Sequence, residues 1–203
     1  MNKIFNSLLI IVITTVIVIG GASIYFSDKI INGNNTFASD PLDLQIKDQN
    51  EPWGNGVSAT WVMDNMKPGD VSEMNSVRLR NVSIEEADYV EIAVTNVTAD
   101  PNNEESDTHY PTNDDMDKWM EIKEMYYNGE SILAELDDYN SNGWIDLDDF
   151  EYQKLSGLVP PPANPRNMKI FTLQLKFRQE AGNMFQGDIL ESEFAFWLIK
   201  DEE

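Results

Sequence analysis

The sequence predicts a mainly β protein, an antiparallel sandwich interrupted by an α-helical insert that carries a calcium loop. Short segments in both halves of the chain alternate apolar and polar residues, as half-buried antiparallel strands do. Between them lie apolar residues at helical spacing and an Asp/Asn-rich loop with EF-hand spacing. The chain has no cysteine, so the fold depends on its core, on bound ions or on assembly rather than on disulfides.

The first segment of the chain predicts export. Lys3 is the only charge before the apolar run 8–21, and small residues follow that run, which is typical of a secretory signal sequence. We assign residues 1–25 to this signal, removed by a signal peptidase between Ala22 and Phe26, and expect a secreted or cell-surface protein. A spanning helix needs about 20 apolar residues, and counting on through Tyr25 and Phe26 gives about 18. A retained membrane anchor is therefore the alternative.

Residues 26–41 form a mostly polar arm before the first strand. Its large apolar side chains have no obvious partner within the arm itself, and a disordered N-terminal tail is the simplest interpretation. The alternative is a strand that adds to an open sheet edge, with its apolar side chains filling a groove. The residues that would do this are Phe26, Ile30, Ile31 and Phe37.

The two halves of the sandwich are assigned to residues 42–99 and 167–203. The first half has a tight turn at 66–70, because Pro68 presets the backbone and Gly69 accepts a positive φ. The last strand is nearly continuous in apolar residues, so we expect it to be central. Strands are predicted at 42–46, 58–63, 77–82, 89–97, 169–177 and 189–199.

Residues 100–166 are predicted to be the insert. An acidic loop up to residue 115 precedes a helix at 116–127, predicted from apolar residues at helical spacing. A second helix is predicted at 131–136, and a third at 149–155, where it leaves the calcium loop.

The calcium loop spans residues 138–149. Gly143 stands at the sixth position, where the chain turns sharply, and Ile145 at the apolar eighth. Asp149 replaces the usual terminal Glu, as in dockerin modules, so we expect weak binding of Ca²⁺, with a Kd of about 10⁻⁴–10⁻³ M. An Asp/Asn-rich turn that binds nothing is the alternative. The predicted ligands are Asp138, Asn140, Asn142, Trp144 through its carbonyl, Asp146 and Asp149.

Charge excludes several partners. The chain has 36 acidic and 14 basic residues, for a net charge of −22. Nucleic acid and anionic lipid both need a cationic surface, so we expect neither, and membrane contact only through the signal sequence. Such a surface suits high salt or a cation-rich exterior, since its self-repulsion loosens the fold at low salt.

Smaller signals point to modification rather than catalysis. Asn34, Asn81 and Asn96 begin N-glycosylation sequons. His109 is the only histidine, whereas a catalytic zinc site needs three protein ligands, commonly histidines. We therefore predict no enzymatic activity.

Several stretches at both ends of the chain, taken in order, resemble the TasA/camelysin family. The first is the junction at residues 20–28, followed by Thr-Phe-Ala-Ser-Asp at 36–40 and Leu-Asp-Leu at 42–44. The others are the turn at 65–70, the strand end at 79–83, and the closing segments 185–188 and 194–196. The resemblance covers both halves of the predicted sandwich and leaves out the insert.

The resemblance implies a jelly-roll sandwich exported through a dedicated signal peptidase. It also implies assembly into an extracellular filament of biofilm-matrix or pilus type. In this family the N-terminal segment of one subunit pairs into the sheet of the next as a donor strand, so the partners would be copies of this chain or related subunits. With the resemblance, the arm at 26–41 becomes the predicted donor strand.

Two other functions stay open. One is a calcium-dependent cell-surface adhesin or dockerin-like binding module. The other is a metalloprotease, because camelysin-type members have been classed as such; the single histidine and the absence of an H-E-x-x-H motif argue against it.

Overall fold

The computed structural model describes residues 42–48, 52–55, 58–63, 66–99, 113–183, 185 and 188–201. The predicted signal sequence, the arm 26–41, Asn34 and His109 lie outside these residues. The described strands are β1 (Leu44–Asp48), β2 (Gly54–Asn55), β3 (Ser58–Met63), β4 (Asn75–Asn81), β5 (Tyr89–Ala99), β6 (Met120–Tyr127), β7 (Glu130–Ser131), β8 (Leu155–Leu158), β9 (Lys169–Phe177) and β10 (Ile189–Ile199).

The strands form two antiparallel sheets. The first sheet has the order β2-β1-β4-β9-β6-β7, and the second has the order β3-β10-β5-β8. In the described residues, strands from both chain halves pair within each sheet: β9 pairs with β4 in the first sheet, and β10 pairs with β3 and β5 in the second. The two halves therefore form one sandwich rather than two consecutive units.

The core is aromatic where the two sheets face each other. Phe194 of β10 contacts Trp61 of β3, with ring centroids 4.5 Å apart. Its ring centroid also lies 6.0 Å from the ring centroid of Phe150 and 6.0 Å from that of Phe171 of β9. Burying rings of this size is the main favourable term in folding, so Phe194 joins both sheets at the centre of the molecule.

The predicted strands are confirmed. The segments 58–63, 169–177 and 189–199 have the predicted bounds, and the others differ by one or two residues at one end or both. The last strand, β10, is central as expected, between β3 and β5. The turn is also confirmed: Gly69 has a φ of 99°, and the Asp70 amide donates to the Lys67 carbonyl at 2.9 Å.

The helix predicted at 116–127 is wrong. The chain instead forms a 3-10 helix, Asn113–Trp119, followed by strand β6. The register of β6 against β9 shifts between Ile122 and Glu124. This bulge inserts an extra residue, so the buried positions run 120, 122, 125 and 127 and imitate helical spacing.

The other two helices of the predicted insert are mostly absent from the described residues. Segment 131–136 contains only the 3-10 turn Leu133–Glu135. The helix predicted at 149–155 begins earlier and is shorter: α1 spans Leu147–Tyr152. Residues 113–166 therefore supply β6 and β7 to the first sheet and β8 to the second, and the helical-insert prediction is corrected to a mixed segment built into the sandwich.

Candidate metal centre

The loop 138–149, which we call the metal loop, leads into α1. Asp146 is the N-cap of α1, and its side chain accepts a hydrogen bond from the Asp149 amide at 2.9 Å. In return, the Asp149 carboxylate accepts from the Asp146 amide at 3.1 Å. This reciprocal capping box satisfies two amides that the helix leaves unpaired and places both carboxylates at the helix start.

Asp149 also holds the opposite end of the metal loop. Its Oδ1 accepts from the Tyr139 amide at 2.8 Å and from the Asn140 amide at 3.1 Å. A carboxylate oxygen has two lone pairs, and charge-assisted bonds to backbone amides are strong. Asp149 therefore closes the loop by joining its first residues to its last.

Three carboxylates converge at this point. Carboxylate oxygens of Asp146, Asp148 and Asp149 lie within 4.8 Å of one another. Asp146 and Asp149 are fully buried, while Asp148 is half-buried. Three converging carboxylates of this kind could hold a metal ion.

Burial makes an uncompensated charge costly here. Desolvation raises the pKa of Asp146 to about 6, although hydrogen bonds from the Asp149 amide and from Asn142 and Asn140 act in the opposite direction. In the described part of the chain, no lysine or arginine forms an ion pair with Asp146, Asp148 or Asp149. Buried carboxylates are normally paired with a cation or coordinate a metal, so the cluster favours a cation.

The two asparagines predicted as ligands contact this cluster. The Asn142 Nδ2 donates to Asp146 at 2.6 Å, and the Asn140 Nδ2 donates to Asp146 at 3.2 Å and to Asp148 at 3.0 Å. The two ends of an amide side chain are nearly equal in shape. A half-turn about the last side-chain bond would present Oδ1 to an ion in the same place. It would also break the bonds that the Asn140 Oδ1 accepts from the Asn142 amide at 3.1 Å and the Asn142 Oδ1 from the Trp144 amide at 3.2 Å.

Asp138 and Trp144 are placed differently. The two carboxylate oxygens of Asp138 accept from the Asn142 amide at 3.0 Å and from the Gly143 amide at 2.9 Å, so they turn the loop rather than join the three-carboxylate cluster. The Trp144 ring donates to the Lys118 carbonyl at 3.0 Å. Ligation by the Trp144 carbonyl stays a prediction.

Sequence reasoning missed two carboxylates near the metal loop. Asp148 belongs to the cluster although its position is not among those the EF-hand pattern names. Asp117, at the end of the 3-10 helix, is buried, and its pKa rises to about 7 because of desolvation and then of repulsion from Asp148. The pattern within one loop could not reveal Asp117, because a different segment brings it there.

The donors fit a hard cation. Carboxylate and amide oxygens are the ligands of Ca²⁺ and Mg²⁺, whereas soft metals prefer the sulfur that this cysteine-free chain lacks. Asp146 is further fixed by an antiparallel bridge with Glu121 of β6. The loop is therefore attached to the first sheet and not merely exposed at its surface.

Of the sequons, Asn81 is buried within a turn. Its Nδ2 donates to the Glu85 carbonyl at 2.9 Å, and its Oδ1 accepts from the amide and hydroxyl of Ser83. A glycan would attach to that same Nδ2. In the folded protein this Nδ2 is engaged in the turn, and glycosylation at Asn81 stays a prediction.

Asn96 is also engaged. Its Nδ2 donates to the Leu147 carbonyl at 3.0 Å and to Glu151 at 2.9 Å, and its Oδ1 accepts from the Ser192 hydroxyl at 2.6 Å. It thus connects β5, β10 and α1. The residue is structural, and a glycan at Nδ2 would break the bonds to α1.

Comparisons with known proteins identify no family for this chain. No protein-family model matches the chain, and no curated protein matches it. Among the described residues, no helix has the length and apolar character needed to cross a membrane. Membership of the TasA/camelysin family stays a prediction from the sequence.

Proposed function

We propose that the protein is a structural subunit of an extracellular filament of biofilm-matrix or pilus type, assembled by donor-strand complementation and stabilised by calcium. One observation carries the proposal: an antiparallel sandwich with short edge strands follows an N-terminal segment whose sequence contains Phe26, Ile30, Ile31 and Phe37. An exposed sheet edge is a template for pairing with another chain. A contact from one face to a different face of the next copy gives an open filament when the rotation between copies does not close into a ring.

The strand order supports a jelly roll. The eight strands β3 to β10 would form two four-stranded sheets, with the spatial orders β3-β10-β5-β8 and β4-β9-β6-β7. Strands β1 and β2 would extend the second of these sheets beyond β4. Eight strands wound as two Greek keys across two sheets define a jelly roll. We assign the protein to that class on this strand order.

We assign the metal loop to Ca²⁺. Its side-chain donors are oxygens, its spacing follows the EF-hand, and Gly143 has the positive φ of 98° that the sharp turn requires. The ion would be held by the carboxylates of Asp146 and Asp149 with oxygens of Asn140 and Asn142. It would neutralise buried charge and thereby stabilise the fold.

Calcium binding is tested with Tb³⁺ and Ca²⁺ on the full chain. Trp144 and Tyr139 lie on the metal loop, so bound Tb³⁺ should show sensitised luminescence that Ca²⁺ displaces. Millimolar Ca²⁺ should raise Tm in the wild type and not in Asp138→Ala/Asp149→Ala. If neither the luminescence nor the Tm changed with the ion or with the substitutions, the assignment of the metal loop to calcium would be wrong.

Assembly is tested by negative-stain microscopy of the exported protein with Ca²⁺. The wild type should form filaments, and deletion of residues 26–37 should give a soluble subunit that does not assemble. Deletion of the same number of residues from the acidic segment 100–112 is the matched control and should leave filaments. Filaments formed without residues 26–37 would contradict donor-strand assembly.

A second candidate function is a calcium-dependent binding module. It is favoured by Tyr139 and Tyr152, which stack beside the metal loop with ring centroids 3.8 Å apart although both are more than half exposed. Exposed aromatic side chains are common at binding surfaces. Monomers in the microscope, together with calcium-dependent retention on cell walls that Tyr139→Ala abolishes, would favour this function over the filament.

A further inference from the structure

Two tyrosine rings lie against each other beside the metal loop. Tyr139 is the second residue of that loop, and Tyr152 is the last residue of α1. Their ring centroids are 3.8 Å apart, and their ring planes differ by 20°. Both side chains are more than half exposed, so reagents in the solvent can reach the contact. We call these two residues the tyrosine pair.

The metal loop and α1 together build the tyrosine pair. Asp149 and Tyr152 are three residues apart on α1 and therefore occupy neighbouring positions on its surface. Because the Asp149 Oδ1 accepts from the Tyr139 amide at 2.8 Å, the backbone of Tyr139 is held beside the helix turn that carries Tyr152. Gln153 adds a second connection, since its Oε1 accepts from the Asp137 amide at 3.0 Å. The fold, and not the two side chains alone, sets the position of Tyr139 over Tyr152.

The two hydroxyl groups of the pair lie at the same end of the stack. A hydrogen bond with the Tyr152 side chain raises the pKa of Tyr139, which shows that the two phenols face each other at their polar ends. Oxidative coupling of phenols joins the ring carbons that neighbour the hydroxyl-bearing carbon. In two nearly parallel rings with adjacent hydroxyls, those carbons lie side by side.

The other described tyrosines are placed differently. Tyr127 is buried, and its hydroxyl donates to the Val159 carbonyl at 3.0 Å. Tyr89 and Tyr126 are half-buried on β5 and β6. In the part of the chain that the structure describes, the tyrosine pair is the one ring contact between two tyrosines. Coupling within one folded chain is therefore specific to this pair.

A covalent bond at this place would act as a disulfide does in a small secreted domain. The chain has no cysteine, so no disulfide can restrain the metal loop. A cross-link between residues 139 and 152 would close the loop and α1 into one ring and reduce the freedom of the unfolded chain. It would hold the loop closed even when no ion neutralises the buried carboxylates of Asp146 and Asp149.

We propose that the tyrosine pair is a modification site at which a one-electron oxidant joins the two rings as an intramolecular dityrosine. Each phenol loses one electron and one proton to give a phenoxyl radical, and the two radicals form a carbon–carbon bond between carbons next to their hydroxyls. The hydrogens on those two carbons then move to the oxygens as protons, which restores both hydroxyls. With a peroxidase as catalyst, one hydrogen peroxide accepts the two electrons and two protons and becomes two water molecules.

This inference goes beyond the proposed function and does not depend on it. The tyrosine pair lies within one chain, so the same coupling is expected in a free subunit and in a filament. The rings must turn from a stacked arrangement to one joined at their edges, and the exposure of both side chains leaves room for that rotation.

A peroxidase with limiting hydrogen peroxide, added to the full chain, tests the site. We expect the blue fluorescence of dityrosine. After proteolysis at aspartate, which cuts at Asp146 between the two tyrosines, the peptides that contain Tyr139 and Tyr152 should be joined with the loss of two hydrogen atoms. Tyr139→Phe and Tyr152→Phe should each abolish both signals, because phenylalanine keeps the ring and removes only the hydroxyl. Tyr126→Phe is the matched control and should leave the yield unchanged.

Two further conditions separate this coupling from unspecific oxidation. The yield should not change with protein concentration, and unfolding in urea should lower it at least about tenfold, because the unfolded chain no longer orients the rings. Exposed methionines such as Met168 gain oxygen under the same treatment, so mass distinguishes the two products. A yield that falls on dilution, an equal yield in urea, or a link through tyrosines outside the pair in its place would each overturn the proposal.

The effect on the metal loop is tested with the purified cross-linked protein. In chelator its Tm should exceed that of the untreated protein, and Ca²⁺ should raise its Tm by less, because the loop is already closed. Tyr139→Phe given the same treatment is the control for oxidation elsewhere and should keep its untreated Tm. A cross-linked protein whose Tm in chelator is equal to or below that of the untreated protein would show that the link does not hold the loop closed.

Discussion

At the scale of single residues, Asp117 has a buried carboxyl group that water solvates poorly. Its pKa rises to about 7 from an ordinary value of 3.8 because of desolvation and the nearby Asp148. The folded state therefore binds a proton more tightly than the unfolded state does. The stability that Asp117 contributes to the folded state is greatest below about pH 4 and is lost as the pH rises through about 7.

We predict that Asp117→Asn flattens this dependence. With chelator present, the wild type should lose on the order of 3 kcal/mol more unfolding free energy than the variant between pH 4 and pH 7. Urea unfolding at a series of pH values measures it. Asp43→Asn removes one exposed charge and should keep the wild-type slope; the same slope in Asp117→Asn would contradict the assignment.

Asn96 is a single residue on which three elements depend. We predict that Asn96→Ala lowers the free energy of unfolding by about 1–3 kcal/mol, because Ser192 and the Leu147 carbonyl lose their partner. Val97→Ala, at the neighbouring position that is 58% exposed, should change it by less than about 0.5 kcal/mol. Equal midpoints in urea for the two variants would show that Asn96 does not join the elements.

At the scale of elements, the alternation of apolar and polar residues predicts the regular strands but not β6. β9 alternates without interruption over its whole length, so its pattern has one interpretation. In β6 the bulge between Ile122 and Glu124 changes which residues face the core. The pairing with β9 decides that bulge, and no window of the sequence contains both strands.

The candidate site likewise has one part that the sequence pattern predicts and another that it does not. The metal loop is local, so its glycine, its spacing and the pairing of Asp146 with Asn140 and Asn142 could be predicted from the pattern. The helix expected before the loop is absent from the described residues, since the chain there runs through the turn Leu133–Glu135. Asp117 reaches the loop only through tertiary packing, which spacing does not encode.

The central strand β10 gives a prediction for the core. Phe194 is fully buried and contacts aromatic rings from both sheets and from α1. Phe194→Ala should reduce the free energy of unfolding by about 3–5 kcal/mol, because it removes a ring and leaves a cavity. Ile84→Ala, at a site 81% exposed, is the control. A loss below about 1 kcal/mol would mean that the sheets pack without this residue.

At the scale of the whole molecule, charge opposes compactness. The net charge of −22 repels itself over distances that salt shortens, from a Debye length of about 30 Å at 0.01 M to about 3 Å at 1 M. We predict that Tm, measured by calorimetry in NaCl with chelator, rises continuously across this range. A flat or falling Tm would show that screening of repulsion does not govern stability.

Calcium should narrow that salt dependence. An ion in the metal loop adds two positive charges where Asp146 and Asp149 are buried, so less repulsion remains for NaCl to screen. The difference in Tm between low and high salt should therefore be smaller with Ca²⁺ than with chelator. The variant Asp138→Ala/Asp149→Ala is the control and should show the same salt dependence in both buffers.

The attachment of β1 has a mechanical consequence. β1 follows directly after the N-terminal segment and pairs with β4 in an unbroken register from Leu44↔Asn81 to Asp48↔Val77. A pull on the chain ahead of Leu44, directed along the strand, would load these hydrogen bonds in shear, all at once, instead of opening them one by one. Arg80 would share the load, because its guanidinium donates to Gln45 at 2.6 Å and lies 4.1 Å from the Trp53 ring. A subunit tethered through this strand would resist tension better than one tethered through a peeling edge.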